Sequence, residues 1–245
     1  MRRVLCVVVM LVLAFNTNAS AASVEQISKT PKMPADATPV EIYPGLTMLY
    51  WSIEGYDEFS GPQFVGEARW DGASTIDAPG ISVAVLDKDD NVLASETVTA
   101  VQYIADPGKR IAYDEGLYDV DELSYQEMDH VQITACADTG DTYFAEQLVA
   151  DLSVKRVTVR EESSSRLSLT VDVLNQGKTP TDYAAALVLV YDGQGHLVTT
   201  SQDNVGATVN PEKFGRVSVS LDPGLENYQY RVLAVEAMFA KVTFC

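Results

Sequence analysis

In this chain of 245 residues 35 acids outnumber 17 bases, and the formal charge of −18 opposes approach to nucleic acid and to anionic membrane surfaces. Nearly half of the residues are apolar, with many Val and Tyr, types that suit a pleated and half-buried surface, so a disordered chain is excluded and a strand-rich one expected. The length suits one large domain or two of about 100 residues.

The first residues, MRRVLCVVVMLVLAFNTNASAAS, place two arginines before an apolar run from Val4 to Phe15 and close on small residues. That order predicts a secretory signal peptide over residues 1–22, cleaved near Ala21 or Ala22, because the run falls short of the roughly 20 apolar residues of a membrane span. Cys6 does not follow the run, as a lipidated cysteine would, so no lipoprotein anchor is expected. The expected product is exported: periplasmic, on the cell surface or secreted. Its charge falls from −18 to −20, since Arg2 and Arg3 leave and no acid does. Residues 23–43 read as an N-terminal segment containing prolines.

A first antiparallel sandwich is expected over residues 44–140. In YPGLTMLYWSIEGYDEF, strand parity assigns Leu49, Trp51 and Ile53 to the core, with Phe64 and Trp70 on the next strand. Tyr50 and Tyr56 fall on the other face, open to solvent or to a glycan. A Gly turn at Gly72 leads to ISVAVLD, the polar turn KDDN and the strand VLASETV. Asp87, Asp89 and Asn91 have the D-x-D-x-N opening of a calcium loop, but Val92 and Val98 stand where an EF-hand needs Gly and Glu. What remains is a plain hairpin turn or a looser calcium site joined by Asp71 or Asp77.

The acidic stretch from Tyr113 to Asp129 interleaves tyrosines with acids. Tyrosine gives large contact area at little entropy cost, which makes Tyr113, Tyr118, Asp119, Asp121 and Tyr125 candidates for binding a partner. The plainer reading is a strand followed by a solvated loop. In VQITACAD the expected inward set is Val131, Ile133, Ala135 and Ala137, leaving Cys136 outward to meet Cys245 in a disulfide that ties the two halves.

The junction FAEQLVADL suits either a short helical turn or the opening strand of a second sandwich over residues 151–245. There LSLTVDVLNQG alternates strictly, with Leu167, Leu169, Val171 and Val173 inward and Ser168, Thr170 and Asp172 outward. ALVLVYDGQGHLVTT follows, a hairpin whose Asp192 to Gly195 turn has the residues such turns need, then Asn210-Pro211, GRVSVSL and YQYRVLAVEAMF. A constant shift of 105 residues lays the first half on the second: Gly72 on Gly177, Val83 on Val188, Val85 on Val190, Asp87 on Asp192. The fold class expected is all-β, two tandem immunoglobulin-like antiparallel β-sandwiches.

ALVLVYDGQGHLV followed by NPEKFGRVSVSL resembles the bacterial FxLYD domain, with Tyr191 and Asp192 matching its signature and Val188 and Val190 in place of its Phe and Leu. The resemblance covers residues 154–240, and 49–137 less closely, with Leu86 in the place of the tyrosine. It implies an extracellular module without catalysis and names no ligand. The two histidines, His130 and His196, lie far apart, with no nucleophile and acid arranged about either, and no tight His or Cys spacing offers a zinc site. The functional expectation is therefore a non-catalytic envelope or secreted protein that contacts another protein through loops and sheet edges, without cofactor. The alternative is a calcium- or glycan-binding module.

Overall fold

The computed structural model describes residues 31–147, 151–162, 166–221 and 228–236. Nearly all regular structure is strand, and every strand pairing is antiparallel. The first half contains β1 (Val40–Tyr43), β2 (Leu46–Asp57), β3 (Gly61–Trp70), β4 (Ile76–Asp77), β5 (Ile81–Leu86), β6 (Val92–Val98), β7 (Ile104–Ala105), β8 (Lys109–Gly116) and β9 (His130–Ala135). The second contains β10 (Leu152–Glu162), β11 (Arg166–Asn175), β12 (Ala184–Tyr191), β13 (Leu197–Asn204), β14 (Phe214–Leu221) and β15 (Gln229–Glu236). Two short helices, α1 (Glu122–Glu127) and α2 (Tyr143–Gln147), lie in connections of the first half and at its end.

Sheet β1-β2-β3-β8 faces sheet β6-β5-β9 across one core, built from Leu46, Met48, Phe64, Trp70, Ile81, Val83 and Val85 among others. Sheet β10-β11-β14 faces sheet β13-β12-β15 across a second core, to which β11 gives Leu167, Leu169, Val171 and Val173 and β14 gives Val217, Val219 and Leu221. Without the edge strand β1 and the separate two-stranded pair β4-β7, the two halves share one strand order: first-second-fifth on one sheet, fourth-third-sixth on the other. The shift of 105 residues persists in detail at the β5–β6 and β12–β13 turns. Asp87 N donates to Asn91 O as Asp192 N does to His196 O, and the positive φ of Asp90 (62°) matches that of Gly195 (96°).

A third core joins the halves. Leu49, Tyr50, Val65 and Ala112, on the outer face of the β1-β2-β3-β8 sheet, pack on Leu187, Leu189, Tyr191 and Leu197 of the β13-β12-β15 sheet. The four sheets therefore stack in series, and the two inner ones are covered on both faces. This is why β12, AAALVLVY, is buried at all eight positions, as expected of a strand without a solvent face. Each fully buried Leu or Val contributes roughly 1.5–3 kcal/mol.

Three expectations from parity are corrected here. Tyr50 is buried, not open to solvent, because a second sheet lies on its face. Leu49 belongs to the junction and not to the sandwich core with Trp51 and Ile53, since a bulge between Met48 and Tyr50 resets the alternation. Cys136 is buried at 4% exposure while Ala137 is exposed, because β9 ends at Ala135 and the chain turns, with Thr139 N and Oγ1 both bonding Cys136 O. Cys136 is disulfide-bonded; Cys245 lies outside the described residues. The signal peptide of residues 1–22 also lies outside them, and no helix among the described residues is long and apolar enough to cross a membrane.

Candidate functional site

The acidic turn at Asp87 is closed by its own bonds. Asp87 Oδ1 accepts from the N–H of Asp89 (2.8 Å) and Asn91 (2.9 Å), and Oδ2 from the Asn91 amide (2.9 Å). The Asn91 hydrogen bonds hold the Asp87 carboxyl below the usual carboxylate range. Asp71 is engaged instead by Arg69, and Asp77 by the N–H of Ala145 at 2.8 Å, at the start of α2. Among the described residues no group of three His, Cys, Asp or Glu side chains converges in a manner that could hold a metal ion. The arrangement is that of an Asx-type turn, repeated at Asp192, whose Oδ1 accepts from Gln194, Gly195 and His196.

The stretch from Tyr113 to Asp129 divides into a buried part and an exposed part. Tyr113 is fully buried and its hydroxyl donates to Pro79 O at 2.8 Å, so it is a core residue and cannot meet a partner. Burial pushes its phenol far above the ordinary tyrosine range. Beyond it, Asp121 caps α1 by accepting from Ser124 N at 2.7 Å, and Tyr125 on that helix stacks on Tyr56 with centroids 5.9 Å apart. Asp119 N donates to Glu96 Oε2 at 2.7 Å, which fixes the loop to β6.

The β2–β3 turn lies against this loop. Leu117 N donates to Pro62 O at 2.9 Å, and Gly61, at φ 66°, approaches so near that an added Cβ would stand 2.0 Å from Leu117 O. Phe59 in that turn is 80% exposed, and Tyr118, in the loop that follows Leu117, and Leu123, on α1, are exposed as well. These side chains and the stacked Tyr56–Tyr125 pair belong to the β2–β3 turn and to the loop and helix held against it, segments that also carry the exposed acids Asp57, Glu58, Asp119, Asp121 and Glu122. Of the sequence candidates, the structure thus brings Tyr118, Asp119, Asp121 and Tyr125 together. It adds Phe59, whose signal in the sequence is a large apolar side chain inside a polar turn, and Leu123, an apolar side chain on the first turn of α1.

What holds the first sandwich in a fixed relation to the second is a buried carboxylate that sequence reasoning missed. Glu67 on β3, with no exposed surface, accepts from Tyr50 (2.6 Å), Tyr191 (2.8 Å) and Arg110 (2.9 Å). Burial, reinforced by the Glu67 charge, pushes both phenols well above the ordinary range, so they remain donors. Tyr50 in turn accepts from Leu197 N at 3.0 Å, and Asp114 accepts from Thr200 N at 2.5 Å. The N-terminal segment crosses the same seam, where Asp36 meets His196 Nε2 at 3.0 Å. Both imidazoles are engaged by carboxylates: His196 by Asp36 and Asp192, His130 by Asp90 and Asp129.

No family model matches this sequence, and no curated protein matches it. Solved structures with some likeness include red sea bream transglutaminase, 13% identical over 78% of this chain and 31% of its own, with a TM-score of 0.23. A mutant of Bacillus subtilis oxalate decarboxylase is 12% identical over 89% of this chain and 80% of its own, with a TM-score of 0.19. The chain spans less than a third of the transglutaminase, and at these scores neither likeness extends to function. The class that the fold defines is an all-β protein of packed antiparallel sheets.

Proposed function

We propose that this is an exported, non-catalytic interaction protein in which two FxLYD-like sandwiches, residues 44–140 and 151–245, act as one rigid scaffold presenting the Phe59–Tyr118 patch to another protein. The observation that carries the reading is that Phe59, Tyr118 and Leu123 are all exposed on the β2–β3 turn and on the loop and helix held against it. Clustered exposed aromatics with a polar rim are the composition of protein interfaces. The acidic rim favours a partner with basic residues around an apolar centre.

Export rests on the leader-like first 22 residues, and a bond between Cys136 and Cys245 would suit an oxidising compartment. Alkylation of the native, unreduced protein should label no thiol after leader removal; two labelled thiols would contradict the pairing.

The functional test immobilises the protein and captures binders from its own envelope extract, with calcium or with EDTA, beside a Phe59→Ala/Tyr118→Ala variant. The reading predicts a protein retained equally with and without calcium and lost by the variant, whose melting temperature is unchanged. Equal retention by both proteins, or retention only with calcium, would contradict it.

A further inference from the structure

The β10-β11-β14 sheet turns one face to its core, and strand pairing sets the side chains of the opposite face in rows. Arg156, Asp172 and Arg216 stand side by side, and the next row holds Thr158, Thr170 and Ser218. Asp172 accepts from Nε and Nη2 of both arginines, so one carboxylate fixes two guanidiniums. Its side chain is 3% exposed, whereas those of Arg156 and Arg216 are 60% and 54% exposed, and neither Nη1 takes part in the Asp172 bonds. Arg160, two positions beyond Thr158 on the same face of β10, is exposed as well.

The three arginines, Thr158, Thr170 and Asp172 line one groove of about 210 Å³. That is below the roughly 300–1,000 Å³ of sites that take in a whole organic ligand, so the groove is sized for a single charged group. Among the described residues Asp172 is the one acid in its lining, and three guanidiniums less one carboxylate leave a formal charge of +2. This surplus stands in a chain whose total is −18. Guanidiniums keep their charge at any working pH and present donors in a planar fork that matches the oxygens of phosphate.

We propose that this groove binds a single phosphate group, free or in a small monoester, with Arg156, Arg160 and Arg216 donating to its oxygens together with the Thr158 and Thr170 hydroxyls. A phosphate monoester carries about −1.5 to −2 near neutral pH and three strong acceptor oxygens, which balances the surplus in the groove. A sulfate ester or a carboxylate brings one charge and leaves half of it. Asp172 does not repel the group as a bare anion would, because each of its oxygens already accepts from a guanidinium. A nucleic acid or an anionic bilayer would bring many charges towards a chain of −18, so a lone phosphate is favoured over a polyanion.

The test is a titration of the ¹⁵N-labelled protein, expressed from the full sequence, at low ionic strength with phenyl phosphate, phenyl sulfate and benzoate, which share one body and differ in the charged group. Inorganic phosphate is titrated alongside. Expected at pH 7.5 is a saturable shift of the β10, β11 and β14 amides with phenyl phosphate, its half-saturation at least about fivefold lower than for the sulfate or the carboxylate, the ratio that one further unit charge gives at about 4 Å in water. At pH 5 the phosphate is singly charged and that advantage should vanish. Comparison with inorganic phosphate shows whether the free ion or an ester is held. Arg160→Ala should raise the half-saturation at least about fivefold, while Lys88→Ala, which removes the same charge from the other sandwich, should leave it unchanged. No saturable shift on these strands, equal half-saturation for the three phenyl compounds, an advantage kept at pH 5, or equal effects of the two substitutions would overturn the proposal. The ligand comparison needs wild type alone and decides even if a variant fails to fold. Neither result bears on capture by the Phe59–Tyr118 patch, which belongs to the first sandwich.

Discussion

Glu67 shows how much of this molecule turns on single polar groups. Its three donors come from β2, β8 and β12, so one carboxylate ties both halves. Glu67→Ala leaves Arg110 and two buried phenols without their shared acceptor, and the expected loss is about 3–5 kcal/mol in urea unfolding. Tyr191→Phe deletes one hydrogen bond to the charge and should cost about 1.5–3 kcal/mol. A Glu67→Ala loss no larger than that of Tyr191→Phe would contradict the central role of the carboxylate. Asp172 is the corresponding case on the outermost sheet, buried between Arg156 and Arg216. The Arg216 hydrogen bond, with that of Arg156, holds its carboxyl below the ordinary aspartate range. A carboxyl whose folded pKa is depressed stabilises fully above its unfolded value, near 3.9, and ceases to do so as pH falls through the folded value. The stability difference between wild type and Asp172→Asn should therefore be constant above about pH 5 and shrink in acid. A difference constant down to pH 2 would contradict the pairing.

Among the elements, the two hairpin turns are built alike and are legible in the sequence for a physical reason: an Asp followed by polar residues and a Gly can bond its own backbone. Asp192→Ala removes the acceptor of three N–H groups and should cost about 1 kcal/mol, with β12 and β13 otherwise intact by amide exchange. No change in stability would mean that the turn is held by its neighbours alone. The strands of β11 and β5 were equally legible, since Leu167, Leu169, Val171 and Val173, or Ile81, Val83 and Val85, alternate as a one-sided core demands. Alternation says which side chains share a face. It does not say whether another sheet covers that face, and so Tyr50 and Glu67, on outward faces, read as surface residues. The hint for β12 lay in its lack of any charged or amide side chain across eight positions. Parity also fails where a strand bulges or ends, as at Leu49 and Cys136. The exposed patch was half legible: Tyr118 and Tyr125 stand in an acidic stretch, whereas Phe59 joins them only through the close approach of Gly61 to Leu117.

At the scale of the whole molecule, two sheet pairs of one topology are fused by a third core that is apolar at Leu187 and Leu189 and polar at Glu67. A tandem linked only by a flexible connection would let its loops point anywhere, whereas this seam gives the Phe59–Tyr118 patch a fixed direction. That claim is tested most directly by differential scanning calorimetry of the oxidised protein. The fused structure predicts one transition whose calorimetric and van't Hoff enthalpies agree, because neither half can unfold without exposing the shared core. Two separate transitions, each with the enthalpy of one sandwich, would contradict it.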